Sequence, residues 1–498
     1  MYADLDILEF DKILKEYVKY AETDLGKAKI QTLSPVNNAD LIISMLGEVE
    51  TAKTIIERYD TTPMDGVLNL EETLKRARIG ATLSIEELMR VVSHVEAEAR
   101  TDRFFRKVRQ LEIPTGPLDS YYQAITYHPA LKQAIDLAID QKGYVVDSAS
   151  PELAQIRKKL SITEKRIGEK MNSLLQTEAQ KLTDSLITIR NNRLVLPVKA
   201  EFKNQFKGIV HDLSASRETV FIEPLVCVEM NNEMASLYLE EQAAIEKILY
   251  RLSQEVAIEA DPLLTNLRIF TELDVIFAKA KHAIANDEAC PEITFGEINL
   301  INARHPFIPK SEVVANSINF GCYRTIVITG PNTGGKTVCL KMLGLLSIMV
   351  QTGMFIPVDA GSKTIVFDNI FADIGDEQSI EQSLSTFSSH ITKIINILRH
   401  LTPKSLILLD ELGSGTDPKE GASLAISILD YIRHKSVYAL VTTHYPELKT
   451  YAYDLEDTVN ASVEFDIDSL RPTYKLKIGI PGTSNALDIA SRLGLEET

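Results

Sequence analysis

The chain has 498 residues, 45% of them hydrophobic and 25% charged, with a formal net charge of -17. That size supports several buried cores, about three domains, and the acidic balance excludes a surface that clings to phosphate backbones everywhere, so nucleic-acid contact must use local basic patches. No apolar run reaches the roughly 18 residues of a membrane span, the acidic start MYADLDILEF has no signal-peptide pattern, and the scattered Cys227, Cys290, Cys322 and Cys339 fit reduced thiols of a cytoplasmic protein better than a disulfide or zinc framework.

Residues 1–149 read as an all-helical core and lever. Leu14, Val18 and Ala21 share one stripe, and SIEELMRVVSHVEAEA opens a second helix at Ser84, with Glu87 three residues on as in a capping box. Its apolar stripe is Ile85, Leu88, Val91 and Val92.

Residues 150–258 read as two helical arms with a small β-tip. In 151–182, Leu153, Leu160, Ile167 and Leu174 recur every seven residues, and 229–256 carries Ile245, Ile248, Leu252 and Val256 on one face. Thr163 and Lys170 fall where a second heptad position wants apolar residues, so short packed antiparallel arms fit better than a long coiled coil. Between the arms, 186–224 holds β-branched runs broken by Asn191-Asn192, Gly208 and Pro224, as strands and turns require. Arg190, Arg193, Lys199, Lys203 and Lys207 crowd this tip, with Phe202 and Phe206 interleaved and only Glu201 and Asp212 opposing them in 190–212. A nucleic-acid contact and a solvated charged face both fit that pattern.

A helical return with Leu273, Ile276 and Phe277 fills 259–297, after which strands alternate with helices over 298–498. Apolar runs at 324–329, 364–368, 405–410 and 437–442, with helical crossovers between them, imply a sheet covered on both faces. No internal repeat or low-complexity tract interrupts the chain.

The chemistry lies in this last region. GPNTGGKT at 330–337 follows an apolar strand and precedes the helical VCLKMLGLLSIM, matching G-x-x-x-x-G-K-[ST]. In such a loop, here Gly330, Pro331, Asn332, Thr333, Gly334 and Gly335, the glycines let backbone N–H groups close on phosphate oxygens, Lys336 offsets phosphate charge and Thr337 offers a hydroxyl to Mg²⁺. SLILLDELGSGTD sets Asp410 and Glu411 at the end of an apolar strand, where two carboxylates are costly without a cation and a task. Asp410 suits Mg²⁺, and Glu411 suits orienting and deprotonating the attacking water. His444 follows another strand as a candidate γ-phosphate sensor, although a lone histidine is more often structural. The segment GDEQSIEQSLSTFSSH packs Ser383, Ser385, Thr386, Ser388 and Ser389 beside Phe387, which serves either anion binding or helix capping.

Taken in order, GPNTGGKT, STFSSH, LLDELGSGTD and TTHYPELK resemble the MutS branch of ABC-type ATPases. IRNNRLVLPVK, GIVHDLSASRETVFIEP and GDEQSIEQSLSTFSSH are similar to its bacterial MutS-II subfamily in particular. The likeness covers nearly the whole chain. It implies a multidomain protein, an all-α core and lever with clamp arms and β-tip followed by an α/β P-loop ATPase domain, using ATP and Mg²⁺. It also implies a homodimer arranged head to tail around two nucleotides, in which Ser385 and Thr386 reach the γ-phosphate held by the partner's loop.

Relative to mismatch-repair MutS, the chain begins at the helical core, with no room for a mismatch-reading domain or connector. Val313 or Val314 stands at the position of the adenine-stacking aromatic. Residues 492–498 stop inside a helical pattern, before the KOW-like segment and Smr nuclease region usual in MutS-II proteins, so nuclease activity is not expected from these residues and a longer natural protein is.

The function so implied is an ATP-driven clamp on a large nucleic-acid assembly, collided ribosomes split into subunits. The resemblance equally permits binding of branched DNA to suppress recombination, and a nucleotide-gated scaffold with little hydrolysis is a third reading. A chromosome-organising ATPase of the SMC type fits poorly, since arms of this length reach only about 50 Å.

Overall fold

The computed structural model describes residues 1–330, 334–375, 383–466 and 471–481, the side chains of 383–386, 465 and 471 excepted. Two compact units emerge, one from residues 1–65, 100–124 and 269–498 and the other from 66–99 and 125–268.

In the second unit, Ser84 and Glu87 exchange reciprocal bonds: Ser84 N–H donates to Glu87 Oε2 at 2.8 Å and Glu87 N–H to Ser84 Oγ at 3.2 Å. This capping box starts the helix Ile85–Gln110, with Leu88 and Val91 buried on its inner face. The arms are the helices Pro151–Thr177 and Val228–Ile258. Arg157 reaches Glu241 at 2.7 Å and Lys247 reaches Glu152 at 2.9 Å, so the two run antiparallel.

The first arm buries Leu153, Ile156, Leu160, Thr163, Ile167 and Met171. Thr163 thus occupies the seam despite its hydroxyl, and Met171 takes the place that a strict heptad assigns to Lys170. After Ile167 the spacing lengthens to four, the natural drift of a 3.6-residue helix away from a coiled-coil repeat.

The tip is a four-stranded antiparallel sheet in the order Thr188–Arg190, Arg193–Lys199, Thr219–Pro224 and Gly208–Leu213. Asn191 and Asn192, at φ 50 and 58, make the two-residue turn between paired Arg190 and Arg193. Two successive positive φ values match the right-handed twist of a tight hairpin, and asparagine tolerates them at little cost. Glu223, 1% exposed, ties sheet to arm: it accepts from Asn231 Nδ2 at 2.7 Å, contacts His211 Nε2 at 2.6 Å and faces Arg193 Nη1 at 3.3 Å.

The first unit centres on a seven-stranded sheet ordered Tyr2–Ala3, Asn369–Asp373, Ser405–Leu409, Tyr438–Thr443, Thr325–Thr329, Thr458–Asp466 and Arg471–Ile478, parallel except for the last strand. Residues of opposite parity serve opposite faces. Val327, Ile407, Leu409, Ala439 and Val441 join the cluster formed with the helices Ser383–Arg399 and Pro418–His434. On the other face lies the helix Lys336–Gln351, drawn so close at Gly344 that an added Cβ would stand 2.6 Å from Leu408 Cδ1.

The apolar run expected as one strand at 364–368 is strand only at its first two residues, and 366–368 link two strands of different sheets. Lys363–Ile365 joins a small sheet with Glu292–Thr294, Asn299–Ala303 and Asn316–Asn319, and Asn369–Asp373 enters the large one. The chain turns between them because buried Gln351 clamps Phe367, receiving its N–H at 2.9 Å and donating to its carbonyl at 3.0 Å.

Burial pushes His94 in the second unit and His305 in the first down to about 4 from 6.5, with His128 adding repulsion at His94. The unfolded chain therefore binds protons below pH 6.5 that the folded chain refuses until about pH 4. Stability from both groups is complete above 6.5 and drains away as the pH falls toward 4. Urea midpoints should show this loss, and His305→Leu should make the decline of the first unit shallower; an unchanged slope would contradict the assignment.

Candidate active site

Four parallel strands deliver their C-terminal ends to one edge. Thr325–Thr329 leads into Gly330, at φ 134, and Gly335, at φ 89, caps the helix Lys336–Gln351. Both conformations are open to glycine and strained for other residues. Lys336 folds back, 2% exposed, and donates from Nζ to the Gly330 carbonyl at 2.8 Å. Burial lowers its pKa, with the charges of Glu411 and Asp410 opposing the shift. The ammonium is thus held inside the loop, near two carboxylates, instead of in solvent.

Asp410 follows the strand Ser405–Leu409, every residue of which is buried. Thr337 donates from Oγ1 to Asp410 Oδ2 at 2.6 Å. On the other side the Thr442 hydroxyl donates to Asp410 Oδ1 and receives the Glu411 N–H at 2.8 Å. Glu411 itself sits at φ 48, a left-handed conformation costly for a side chain of its kind. It persists because the neighbouring strand grips both sides of it, Leu412 N–H bonding the Thr442 carbonyl at 3.0 Å.

The loop beyond is equally constrained. Tyr445 donates its hydroxyl to the Gly413 carbonyl at 2.9 Å, and a Cβ on Gly421 would meet that carbonyl at 2.4 Å. Asp373, at the end of its own strand, contacts His390 Nδ1 at 2.9 Å and Lys393 Nζ at 3.4 Å, tethering the helix Ser383–Arg399 beside the carboxylates. Asp373, His390, Asp410, Glu411 and Ser414 line one small cleft there.

A second cavity, about 390 Å³, opens beside Gly335 and is lined by Val313, Val314, Val338, Met342 and Tyr474. Tyr474 adopts φ 59, and an added Cβ on Gly335 would stand 3.0 Å from its ring. Asn316 holds it there, donating to the Tyr474 carbonyl at 3.0 Å and accepting the Leu476 N–H at 2.7 Å.

The structure therefore gathers Gly330, Gly334, Gly335, Lys336, Thr337, Asp410 and Glu411 at one edge, while Pro331, Asn332 and Thr333 lie outside the described residues. Ser385 and Thr386 stand in the first turn of the helix Ser383–Arg399, their side chains outside the described ones. His444 is exposed, its ring 4.9 Å from that of Tyr445. At the tip, Arg193 turns inward to Glu223, Arg190 lies 4.2 Å over Phe221 and 3.3 Å from Asp212, and Lys199 donates to the Gln180 carbonyl at 3.0 Å. Lys203 and Lys207 are exposed and meet no carboxylate among the described residues.

Residues 326–498 match the family model MutS domain V. Over 497 residues the chain is 47% identical to Endonuclease MutS2 of Geobacillus sp. (strain WCH70) and 44% identical to Putative endonuclease MutS2 of Bacillus subtilis (strain 168). It belongs to the MutS-II branch of the MutS family. Each alignment takes in 99% of this chain but 63% of the relative, so the chain spans less than two thirds of the length of the curated relatives it matches.

Three site residues of this MutS-II chain were missed by sequence reasoning. Thr442 stands in the motif that supplied His444, but nothing in its spacing reveals that its hydroxyl bridges Asp410 and Glu411. Asp373 and Tyr474 sit in ordinary strand contexts, and only the sheet order brings them to the site. Thr442→Val, nearly isosteric, leaves a charged acceptor and a buried N–H short of one partner. It should cost the first unit about 1.5–3 kcal/mol in urea unfolding; a loss below about 0.5 kcal/mol would mean that water replaces the hydroxyl.

Proposed function

We propose that this MutS-II chain is an ATPase whose two copies close head to tail around a pair of magnesium nucleotides, and that this closure drives the arms on a large nucleic-acid assembly. The observation that carries the reading is the convergence of Lys336, Thr337, Asp410 and Glu411 at the edge of one parallel sheet. The meeting of the Thr337 hydroxyl with the Asp410 carboxylate at 2.6 Å marks where hard oxygen donors suit Mg²⁺, an ion that takes most of its remaining ligands from phosphate and water.

When bound, Mg²⁺ neutralises charge on the transferring phosphoryl group. The protein's own part is positioning. The non-proline residues of the loop 330–335 present N–H groups to the phosphates, and the desolvated Lys336 ammonium faces them from inside the loop. Glu411, locked by Thr442, accepts a proton from the attacking water at its carboxylate. The cavity by Val313, Val314 and Tyr474 takes the base, with the tyrosine ring supplying the aromatic surface that the valines lack. Ser385 and Thr386 complete the partner's site, and His444 senses the γ-phosphate.

Glu411→Gln should keep ATP bound and abolish single-turnover phosphate release, whereas Lys336→Ala should weaken ATP binding itself. Normal turnover in the Glu411 variant would remove it as the base, and ATP-driven dimerisation without release in the unaltered protein would make the chain a scaffold.

For the arms we favour collided ribosomes, which the clamp splits into subunits, with the β-tip as the contact. An acidic chain with a small basic tip suits a shaped target better than bare duplex. Lys203→Glu with Lys207→Glu should weaken co-sedimentation with stalled ribosomes and lower the salt slope by about one for each phosphate no longer neutralised. An unchanged slope would take the tip out of the interface, and capture of four-way DNA junctions in preference to ribosomes would favour branched DNA as the target.

A further inference from the structure

Away from the nucleotide edge, the first unit carries a second concavity with its own chemistry. The end of the helix Ile85–Gln110 and the loop after the helix Ala39–Tyr59 wall a groove of about 590 Å³. Arg100, Arg103 and Lys107 follow one another at three and four residues, hence on one helix face, and Arg106 joins them at the rim. Asp65 is the one acid among the groove's lining residues, in a chain where 70 acids outnumber 53 bases. Arg106 pairs with Asp102 at 2.9 Å. Arg103 and Lys107 meet no carboxylate among the described residues, so their charge is directed at the groove and solvent.

The opposite wall is preformed. Thr101 donates its hydroxyl to the Pro63 carbonyl at 3.3 Å and Arg100 donates from Nε to the Asp65 carbonyl at 3.1 Å, pinning the loop to the helix. Tyr59 and Phe104 also line the groove, their ring centroids 5.7 Å apart; Phe104 is 7% exposed and backs the half-buried Tyr59, whose ring is the accessible one. A concave site that combines a cationic face with one aromatic pair selects an anion bearing a single flat ring. Arg100 and Lys107 are about 10 Å apart along the helix at about 1.5 Å per residue, a span suited to linked phosphates. A surface that tracks single-stranded RNA or DNA presents successive aromatic platforms instead of one pair.

We propose that this groove is a second nucleotide site, for a free nucleotide with two or more phosphates: the phosphates lie along Arg100, Arg103 and Lys107, and the base lies against Tyr59. The site is independent of the loop at 330–337 and does not rest on the ATPase reading.

Photolabelling of the full chain with 8-azido-ADP, followed by peptide mapping, separates the two sites. Label is expected within 59–65 or 100–110 as well as near 474, and Lys336→Ala should leave the groove label in place. Arg103→Glu with Lys107→Glu should cut the groove label about tenfold or more, the loss expected of two charge-assisted bonds, while label near 474 persists and reports an intact fold. Should the double reversal lose both labels, Arg103→Gln with Lys107→Gln repeats the comparison under milder change. Absence of groove label in the unaltered protein, groove label indifferent to these substitutions, or displacement by a single-stranded RNA oligomer but not by ADP would each overturn the proposal.

Discussion

The carboxylate of Asp410 is held from two sides, by the Thr337 hydroxyl and by the Thr442 hydroxyl, and the chemistry of the first unit is organised around that grip. Three separate strands meet there. One ends in the phosphate loop, one carries the two acids, and one supplies the threonine that locks Glu411 in a left-handed conformation. Each residue of these three strands is buried, and their side chains pack into helices on both faces. A rigid sheet sandwiched in this way fixes strand ends to within fractions of an ångström, which flexible loops alone do not achieve.

The second unit combines a helical core, in which Leu74, Leu88, Val91 and Leu263 are fully buried, with the two arms and their tip. Its arms rely on a narrow buried seam, and the small sheet at the tip adds a buried acid to the apolar packing of Val195, Leu196, Val198, Val220 and Ile222. Glu223 gathers Arg193, His211 and Asn231, so part of the tip's basic charge is spent on holding the sheet to the arm. The charge left over for a ligand is smaller and more localised than the count of lysines and arginines implies. The same distinction runs through the groove beside Tyr59, where Arg106 is engaged by its own helix and Arg103 and Lys107 are not.

The cavity beside Gly335 illustrates how a concave site can be assembled from residues with no motif in common. Val313 and Val314 offer only aliphatic surface, and the aromatic partner comes from an antiparallel strand at the far edge of the sheet. Asn316 joins the two regions by bonding the Tyr474 carbonyl and the Leu476 N–H. An asparagine linking one strand to another is invisible to periodicity, because its consequence lies in a pairing between residues 158 apart in number.

Much of this protein is local and therefore readable from its residues in order. The phosphate loop, the acids after an apolar strand, the capping box at Ser84 and the Asn191-Asn192 turn each depend on neighbours within a few positions, where steric and hydrogen-bonding rules act directly. Other features were decided only when distant segments met. The break in the expected strand at 366–368 follows from Gln351, the inward turn of Arg193 from Glu223, and the roles of Thr442, Asp373 and Tyr474 from the strand order. The physical reason is common to all of them: a side chain's partner is set by which strands and helices lie side by side, and one linear order of apolar and polar residues is compatible with many such arrangements.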